Sequence, residues 1–233
     1  MSRKRQRPLG RIPISKYPFT PATYPGRRPR FSFFFTPQGI YRLSLRTLDR
    51  FLSDRSLTSL EERYAVLAYG SNASPGQLLR KYQDQGLNNV PVLFGRLVGA
   101  EAVYANRVTI TDRYVPSTLA RKKGSRPSWV TMLTRDQLRQ MDESEGRPNS
   151  YELAELPGVQ FCIGRSKIVP LFAYVNVLHG VMIHEGKPVS LRARRQKRAR
   201  SLLATTTEAD AATWLDFGVL PYPDPPENFS QIL

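Results

Sequence analysis

The stretch Tyr64–Asn72, which reads Tyr-Ala-Val-Leu-Ala-Tyr-Gly-Ser-Asn, constrains the fold more than any other part of the chain. Its apolar run Ala65–Ala68 predicts a short buried strand. Gly70 permits a sharp turn at the end of that strand, and Ser74 followed by Pro75 predicts the N-cap and first position of a helix. A strand, a glycine turn and a helix start direct backbone N–H groups toward one point, which suits an anionic ligand.

A second informative stretch is an acidic helix end. Thr134 and Gln137 form a capping-box pattern, and Leu138 and Met141 supply the apolar face of the helix that follows. The helix runs into Met141–Gly146, where three carboxylates fall within four residues before a glycine. Carboxylates at a helix C-terminus experience an unfavourable dipole and like-charged neighbours, which favours general acid/base chemistry. The plainer interpretation is a solvated acidic helix end.

Taken together, these two stretches resemble a known family. Tyr69-Gly70-Ser71-Asn72, followed at the right separation by Met141–Gly146, resembles the γ-glutamylcyclotransferase-like family. A strand opening at Tyr151 and an Ala173-Tyr174-Val175 strand within residues 168–177 fit the same pattern. The resemblance covers about residues 64–178.

The resemblance implies an α+β fold, with a small mixed β-barrel-like sheet and peripheral helices. It implies release of 5-oxoproline from a γ-glutamyl amine or peptide, an amine-lyase type of reaction in which the substrate's α-amine attacks its own γ-carbonyl. Such an enzyme needs no metal and no cofactor, because catalysis comes from positioning and proton transfer. By this resemblance Glu145 is the general acid/base, and the substrate-binding residues are Tyr69, Gly70, Ser71, Asn72, Tyr151 and Tyr174.

Three departures from the family pattern leave alternatives open. Ala73 stands where a larger apolar residue usually follows the asparagine, residues 126–133 hold no glycine, and residues 118–129 form an unusually basic segment, expected to be a loop. The alternatives are an enzyme for a larger or acidic γ-glutamyl amine, a non-catalytic binding or regulatory protein on the same fold, and a protein associated with nucleic acid or another polyanion.

Cysteine and histidine are scarce in this chain. The single cysteine, Cys162, excludes a disulfide within the chain, and its place in an apolar run predicts a buried thiol. The two histidines, His179 and His184, lack the flanking ligands of a zinc site and are expected to be ordinary loop or strand-end residues.

Positive charge is concentrated near the start of the sequence. Residues 1–50 carry twelve Lys and Arg against one acid, so they supply +11 of the net charge of +16. Seven prolines before residue 40 argue against regular structure there. We therefore expect four regions: a disordered basic Pro-rich arm at 1–40, a leading helix or linker at 41–63, a γ-glutamylcyclotransferase-like domain at 64–189, and a helical extension with a Pro-rich tail at 190–233.

The basic segments also bear on partners and location. Residues 192–200 carry six positive charges in nine residues and predict a surface helix, and residues 207–215 predict another that ends at Gly218. Residues 1–40 and 192–200 are thus candidates for non-specific contact with polyanions. The prolines of the arm oppose a targeting helix, and no apolar segment approaches ~20 residues, so we expect no membrane span and a cytoplasmic protein.

Overall fold

The computed structural model describes residues 10–82, 88–109, 113–176, 178–192, 196–205, 207–209, 218–221 and 224–233. Its α-helices are α1 (Leu45–Ser53), α2 (Pro75–Tyr82), α3 (Arg135–Glu145) and α4 (Gln196–Leu202). Its strands are β1 (Arg11–Ile12), β2 (Phe33–Thr36), β3 (Gly39–Arg42), β4 (Tyr64–Leu67), β5 (Val90–Tyr104), β6 (Ser117–Leu133), β7 (Tyr151–Glu155), β8 (Gln160–Ile163), β9 (Ser166–Val169), β10 (Phe172–Asn176), β11 (Val181–His184), β12 (Lys187–Pro188), β13 (Thr207–Ala209), β14 (Gly218–Val219) and β15 (Gln231–Ile232).

Twelve of these strands form one large mixed sheet. The strand order along its main path is β1-β3-β2-β5-β6-β4-β10-β7-β14. Off this path, β8 pairs with β5 and with β9, and β9 pairs in turn with β15. The pairing of β4 with β10 is parallel, whereas the other pairs are antiparallel. The predicted α+β class is confirmed, but the barrel-like expectation is wrong, because the sheet does not close on itself.

Strand β4 is buried on both of its faces. Successive side chains of a strand point to opposite faces, and those of β4 enter two different apolar clusters. Tyr64 and Val66 belong to one cluster, and Ala65 and Leu67 belong to the other. This double burial explains why the segment reads as an unbroken apolar run, as the sequence predicts.

The expectation of a disordered arm is wrong for residues 10–40, which are folded onto the sheet; residues 1–9 lie outside the described residues. Phe33, Phe34 and Phe35 are fully buried in β2, which pairs with β3 on one side and β5 on the other. Just before β2, the carbonyl oxygen of Pro29 accepts a hydrogen bond of 2.6 Å from the indole of Trp129. The prolines precede and follow β2 rather than interrupting it, so they do not prevent strand pairing.

The predicted helix signals around the site are confirmed. The Thr134 hydroxyl accepts a hydrogen bond from the Gln137 N–H at 3.3 Å, and the Gln137 side chain accepts one from the Thr134 N–H at 3.0 Å. Helix α3 then ends at Gly146, whose φ of 65° places it in the left-handed region that glycine adopts most readily. Helix α1 lies within the leading helix or linker expected at 41–63.

Other local expectations differ from the structure. The predicted helix at 207–215 begins as strand β13, and residues 210–217 lie outside the described residues. Of the surface helix predicted at 192–200, the structure describes α4 from Gln196 onward. Arg192 lies in a turn, and residues 193–195 lie outside the described residues. Cys162 in β8 is only half-buried, so the prediction of a core thiol is wrong.

The folded arm generates a stability prediction. Phe34 is buried and packs edge-on against Phe51 of α1 at a ring distance of 4.9 Å. We expect Phe34→Ala to lower the free energy of unfolding by ~3–5 kcal/mol, because it removes a buried ring and leaves a cavity. Urea denaturation measures the loss. The control, Arg27→Ala at an exposed position, should stay within about 0.5 kcal/mol of the wild type; equal effects of the two changes would contradict a packed arm.

Candidate functional site

A cavity of about 810 Å³ lies where β4 ends and helices α2 and α3 meet. It is lined by all seven site residues that the sequence singled out: Tyr69, Gly70, Ser71, Asn72, Glu145, Tyr151 and Tyr174. The two motifs are separated by about seventy residues in sequence, so only the fold brings them together.

Glu145 is the carboxylate that connects the two motifs. Its Oε1 accepts a hydrogen bond of 3.0 Å from the Asn72 side-chain amide. The Lys81 ammonium forms an ion pair with the same oxygen and also donates to the Ser144 hydroxyl at 2.9 Å. The Glu145 side chain is 16% exposed and that of Lys81 is 7% exposed, so the pair lies largely out of water but still borders the cavity.

The glycine turn after β4, centred on Gly70, is stabilised by Arg28 of the N-terminal arm. Arg28 Nη1 donates to the carbonyl oxygens of Tyr69 and Gly70 at 3.0 and 3.2 Å. Gly70 has φ −92°, outside the left-handed region that favours glycine. Space explains the glycine instead, since a Cβ there would lie 2.8 Å from the Tyr24 hydroxyl and 2.9 Å from the Ser117 hydroxyl.

The three predicted tyrosines line the cavity, but their hydroxyl protons are used within the protein. Tyr69 donates to the carbonyl oxygen of Tyr174, and Tyr151 donates to the carbonyl oxygen of Ser117 at 2.9 Å. Tyr174 donates to Asp142 Oδ1 at 2.8 Å. Burial raises the pKa of each of these hydroxyls, so they remain protonated at neutral pH. They therefore form rigid walls that can accept, rather than donate, a further hydrogen bond.

Behind this wall, Asp142 is the central group of a buried ionic network. Arg147 approaches it at 3.3 Å and also approaches Glu152 at 3.3 Å, while donating to the carbonyl oxygens of Leu220 and Pro221. Burial raises the pKa of Asp142, although the Tyr174 hydrogen bond and the Arg147 charge act in the opposite direction. The network connects α3, which carries Glu145, to β10 and β7.

Sequence reasoning missed a set of polar residues that line the same cavity: Gln77, Arg80, Lys81, Arg107 and Gln140. The Oε1 atoms of Gln77 and Gln140 are buried and accept no hydrogen bond from the described residues, and Arg107 Nε likewise finds no partner there. Gln77 and Lys81 lie one turn apart on α2, so they share a face of that helix. Their position directly after the glycine turn could have indicated that this face borders the site. Arg107 follows β5 in irregular structure and has no such signal.

The remaining candidate residues lie elsewhere. The basic segment within 118–129 is not a loop but part of β6, where Arg121, Lys122 and Lys123 are exposed. Within the described ranges, no group of three or more His, Cys, Asp or Glu side chains could hold a metal ion. A search of the same residues finds no helix long and apolar enough to cross a bilayer.

The close approach at Gly70 generates a prediction. We expect Gly70→Ala to destabilise the protein by ~1–3 kcal/mol, because the new methyl group displaces the Tyr24–Ser117 hydrogen-bonded pair. In a Tyr24→Phe background the cost of Gly70→Ala should be clearly smaller, since the nearest atom is gone. Urea denaturation of the four proteins measures the difference. Equal costs in both backgrounds would show that the hydroxyl does not limit residue 70.

Asp142 generates a prediction about pH. A carboxyl group whose pKa is higher in the folded than in the unfolded state stabilises the folded protein while it is protonated. This contribution is complete below the unfolded-state pKa of about 3.8, and it is lost as the pH rises through the folded-state pKa. Relative to Asp142→Asn, the wild type should therefore lose stability as the pH rises from about 4 toward neutrality. Chemical denaturation across that range measures the difference. The exposed Asp136→Asn variant should show no such trend, and a difference that grows in the opposite direction would refute the assignment.

Comparison with known proteins finds similarity to a solved structure. No protein family model matches the chain, and no curated protein matches it. A solved structure described as a gamma-glutamyl cyclotransferase is similar, with a TM-score of 0.41 and 18% sequence identity, over 51% of this chain and 69% of that chain. No residue role is transferred from it.

Proposed function

We propose that this protein is a γ-glutamylcyclotransferase-type enzyme that releases 5-oxoproline from a γ-glutamyl amine or peptide. One observation carries the proposal: the Glu145 carboxylate contacts the Asn72 amide inside a cavity lined by all seven site residues. The proposed reaction requires one positioned carboxyl group and a rigid pocket, and the cavity offers both.

The proposed mechanism assigns the proton transfers to Glu145. Glu145 accepts a proton from the substrate's α-ammonium, and the freed amine attacks the γ-carbonyl carbon. A new C–N bond closes the five-membered ring, and Glu145 returns the proton to the leaving amine as its bond to the γ-carbon breaks. The ring nitrogen then passes its second proton to that amine by way of Glu145, so the products are 5-oxoproline and an ammonium. The turn at Ser71 and Asn72 would hold the α-carboxylate through backbone N–H groups, because the first N–H groups of a helical turn lack partners within it.

Lys81 is the proposed positioning residue for Glu145. Its ammonium contacts the carboxylate oxygen that Asn72 also contacts, and Ser144 fixes it from the other side. The carboxylate is thereby held in one orientation toward the cavity. The substrate's α-ammonium would approach the same carboxylate from the open side.

The cavity walls bear on the leaving group. Arg80 and Arg107 supply positive charge, while the buried amide oxygens of Gln77 and Gln140 supply acceptors. This combination suits a leaving amine with its own carboxylate and N–H groups, such as an amino acid or peptide, better than a simple alkyl amine. The exposed basic residues of β6 do not line this cavity.

The contact between Lys81 and Glu145 also favours a second candidate. An ammonium already placed on the carboxylate would suit a binding or regulatory protein that holds a γ-glutamyl compound without turning it over. The two candidates differ in one observable, which is product formation. The cytoplasmic location and the polyanion contacts of residues 1–40 and 192–200 stay predictions.

The experiment is an assay of 5-oxoproline release from a panel of γ-glutamyl amino acids, peptides and alkyl amines. We expect release by the wild type, and a fall of ~10²-fold or more in Glu145→Gln, because the amide cannot accept the ammonium proton. The control is Glu155→Gln, an exposed position on β7 outside the cavity, whose rate should match the wild type.

Each alternative outcome has a separate meaning. Near-normal rates in a folded Glu145→Gln protein would remove Glu145 from the mechanism. Saturable binding of a γ-glutamyl peptide without any 5-oxoproline would select the non-catalytic candidate.

A further inference from the structure

A second cavity, of about 230 Å³, is bordered by Tyr69, which also lines the first cavity. Its lining includes four arginines from three separate parts of the chain: Arg28 and Arg30 from the arm, Arg126 from β6, and Arg192 from the turn before α4. Glu101 of β5 is the carboxylate that accompanies them among the described lining residues. A cavity of this size with such an excess of positive charge is not explained by the proposed reaction.

The four arginines lack compensating acids. In the described part of the chain, none of them forms an ion pair. Arg126 donates to the carbonyl oxygen of neighbouring Ser125, and Glu101 is approached by Lys122 at 3.6 Å rather than by an arginine. Burial, together with the nearby charge of Arg192, lowers the pKa of Arg28 to about 10, although Tyr24 acts in the opposite direction. Uncompensated guanidinium groups around a cavity attract an anion.

Arg28 contacts the glycine turn that borders the first cavity and also lines the second cavity. Both of its hydrogen bonds to the glycine turn, to the carbonyl oxygens of Tyr69 and Gly70, use Nη1. The central carbon of its guanidinium group lies 4.5 Å from the centroid of the Trp129 ring, a cation–π contact that restrains the side chain. Within the described residues, Nε and Nη2 make no hydrogen bond, so a pair of donors remains for a ligand in the second cavity.

The dimensions and chemistry limit the ligand. Cavities that enclose drug-sized molecules are about 300–1,000 Å³, so this one suits a smaller group. Guanidinium forks match the oxygens of phosphate in paired hydrogen bonds, and several of them together favour a doubly charged group over a single negative charge.

We propose that this arginine-lined cavity is a binding site for a phosphate group, either inorganic phosphate or a small phosphate monoester. The site is distinct from the Glu145 cavity and does not depend on the proposed reaction. Because Arg28 holds the carbonyl groups of the glycine turn, an occupied site would also fix the turn that borders the first cavity.

The test is calorimetric titration of the full chain with inorganic phosphate and, in a second arm, with glycerol 2-phosphate, both at constant ionic strength. We expect saturable binding of one equivalent in at least one arm, and the stronger arm identifies the source of the phosphate group. Arg126→Gln and Arg192→Gln should each weaken this binding ~10-fold or more, because each removes a charged donor. Arg165→Gln, an exposed arginine outside both cavities, removes the same charge and should leave the affinity unchanged.

Misfolding of a variant would also weaken phosphate binding, so a variant expected to bind phosphate more tightly provides a control. Glu101→Gln removes the one described carboxylate of the cavity lining and should tighten phosphate binding several-fold. Equal weakening by Arg126→Gln and Arg165→Gln would show general attraction to a basic surface and overturn the proposal. So would the absence of saturation at about 10 mM phosphate.

Discussion

The position of the candidate site depends on strand β4, whose burial on both faces fixes its neighbours. β4 pairs with β6 on one side and β10 on the other, and each partner leads directly to a functional group. β4 itself leads into the glycine turn, and β6 leads into α3, which carries Glu145. β10 carries Tyr174 and pairs with β7, whose first residue is Tyr151. A one-residue slip in this pairing would exchange the two apolar faces, so the register that satisfies the core also assembles the cavity.

The parts of this arrangement that could be predicted from sequence are those with local causes. A capping box, a left-handed glycine and a proline at a first helical position act within a few residues, so the start and end of α3 and the start of α2 were readable. The clustering of the two motifs was predicted by resemblance alone. Lys81 escaped notice because its significance comes from Glu145, which is distant in sequence and becomes a neighbour only in the folded chain.

The wrong predictions have non-local causes. Residues 10–40 are basic and rich in proline, and composition favours disorder there, but β2 obtains its order from hydrogen bonds to β5 and from two apolar clusters. Three consecutive buried phenylalanines were the contrary signal, because a chain in water rarely leaves such a run without a partner. Likewise, β13 is a strand because β11 is available to pair with it, whatever its local helix signals.

The pairing of β2 with β5 also has a consequence for the order in which the chain can fold. Phe33–Phe35 lie opposite Val90–Val92, so their partner strand emerges from the ribosome more than fifty residues later. Until then the run of aromatic side chains has neither a hydrogen-bonded neighbour on that edge nor an apolar surface to cover it. Such a nascent segment is exposed to mispairing with other chains, and its strong positive charge, which repels a second copy, offsets that hazard.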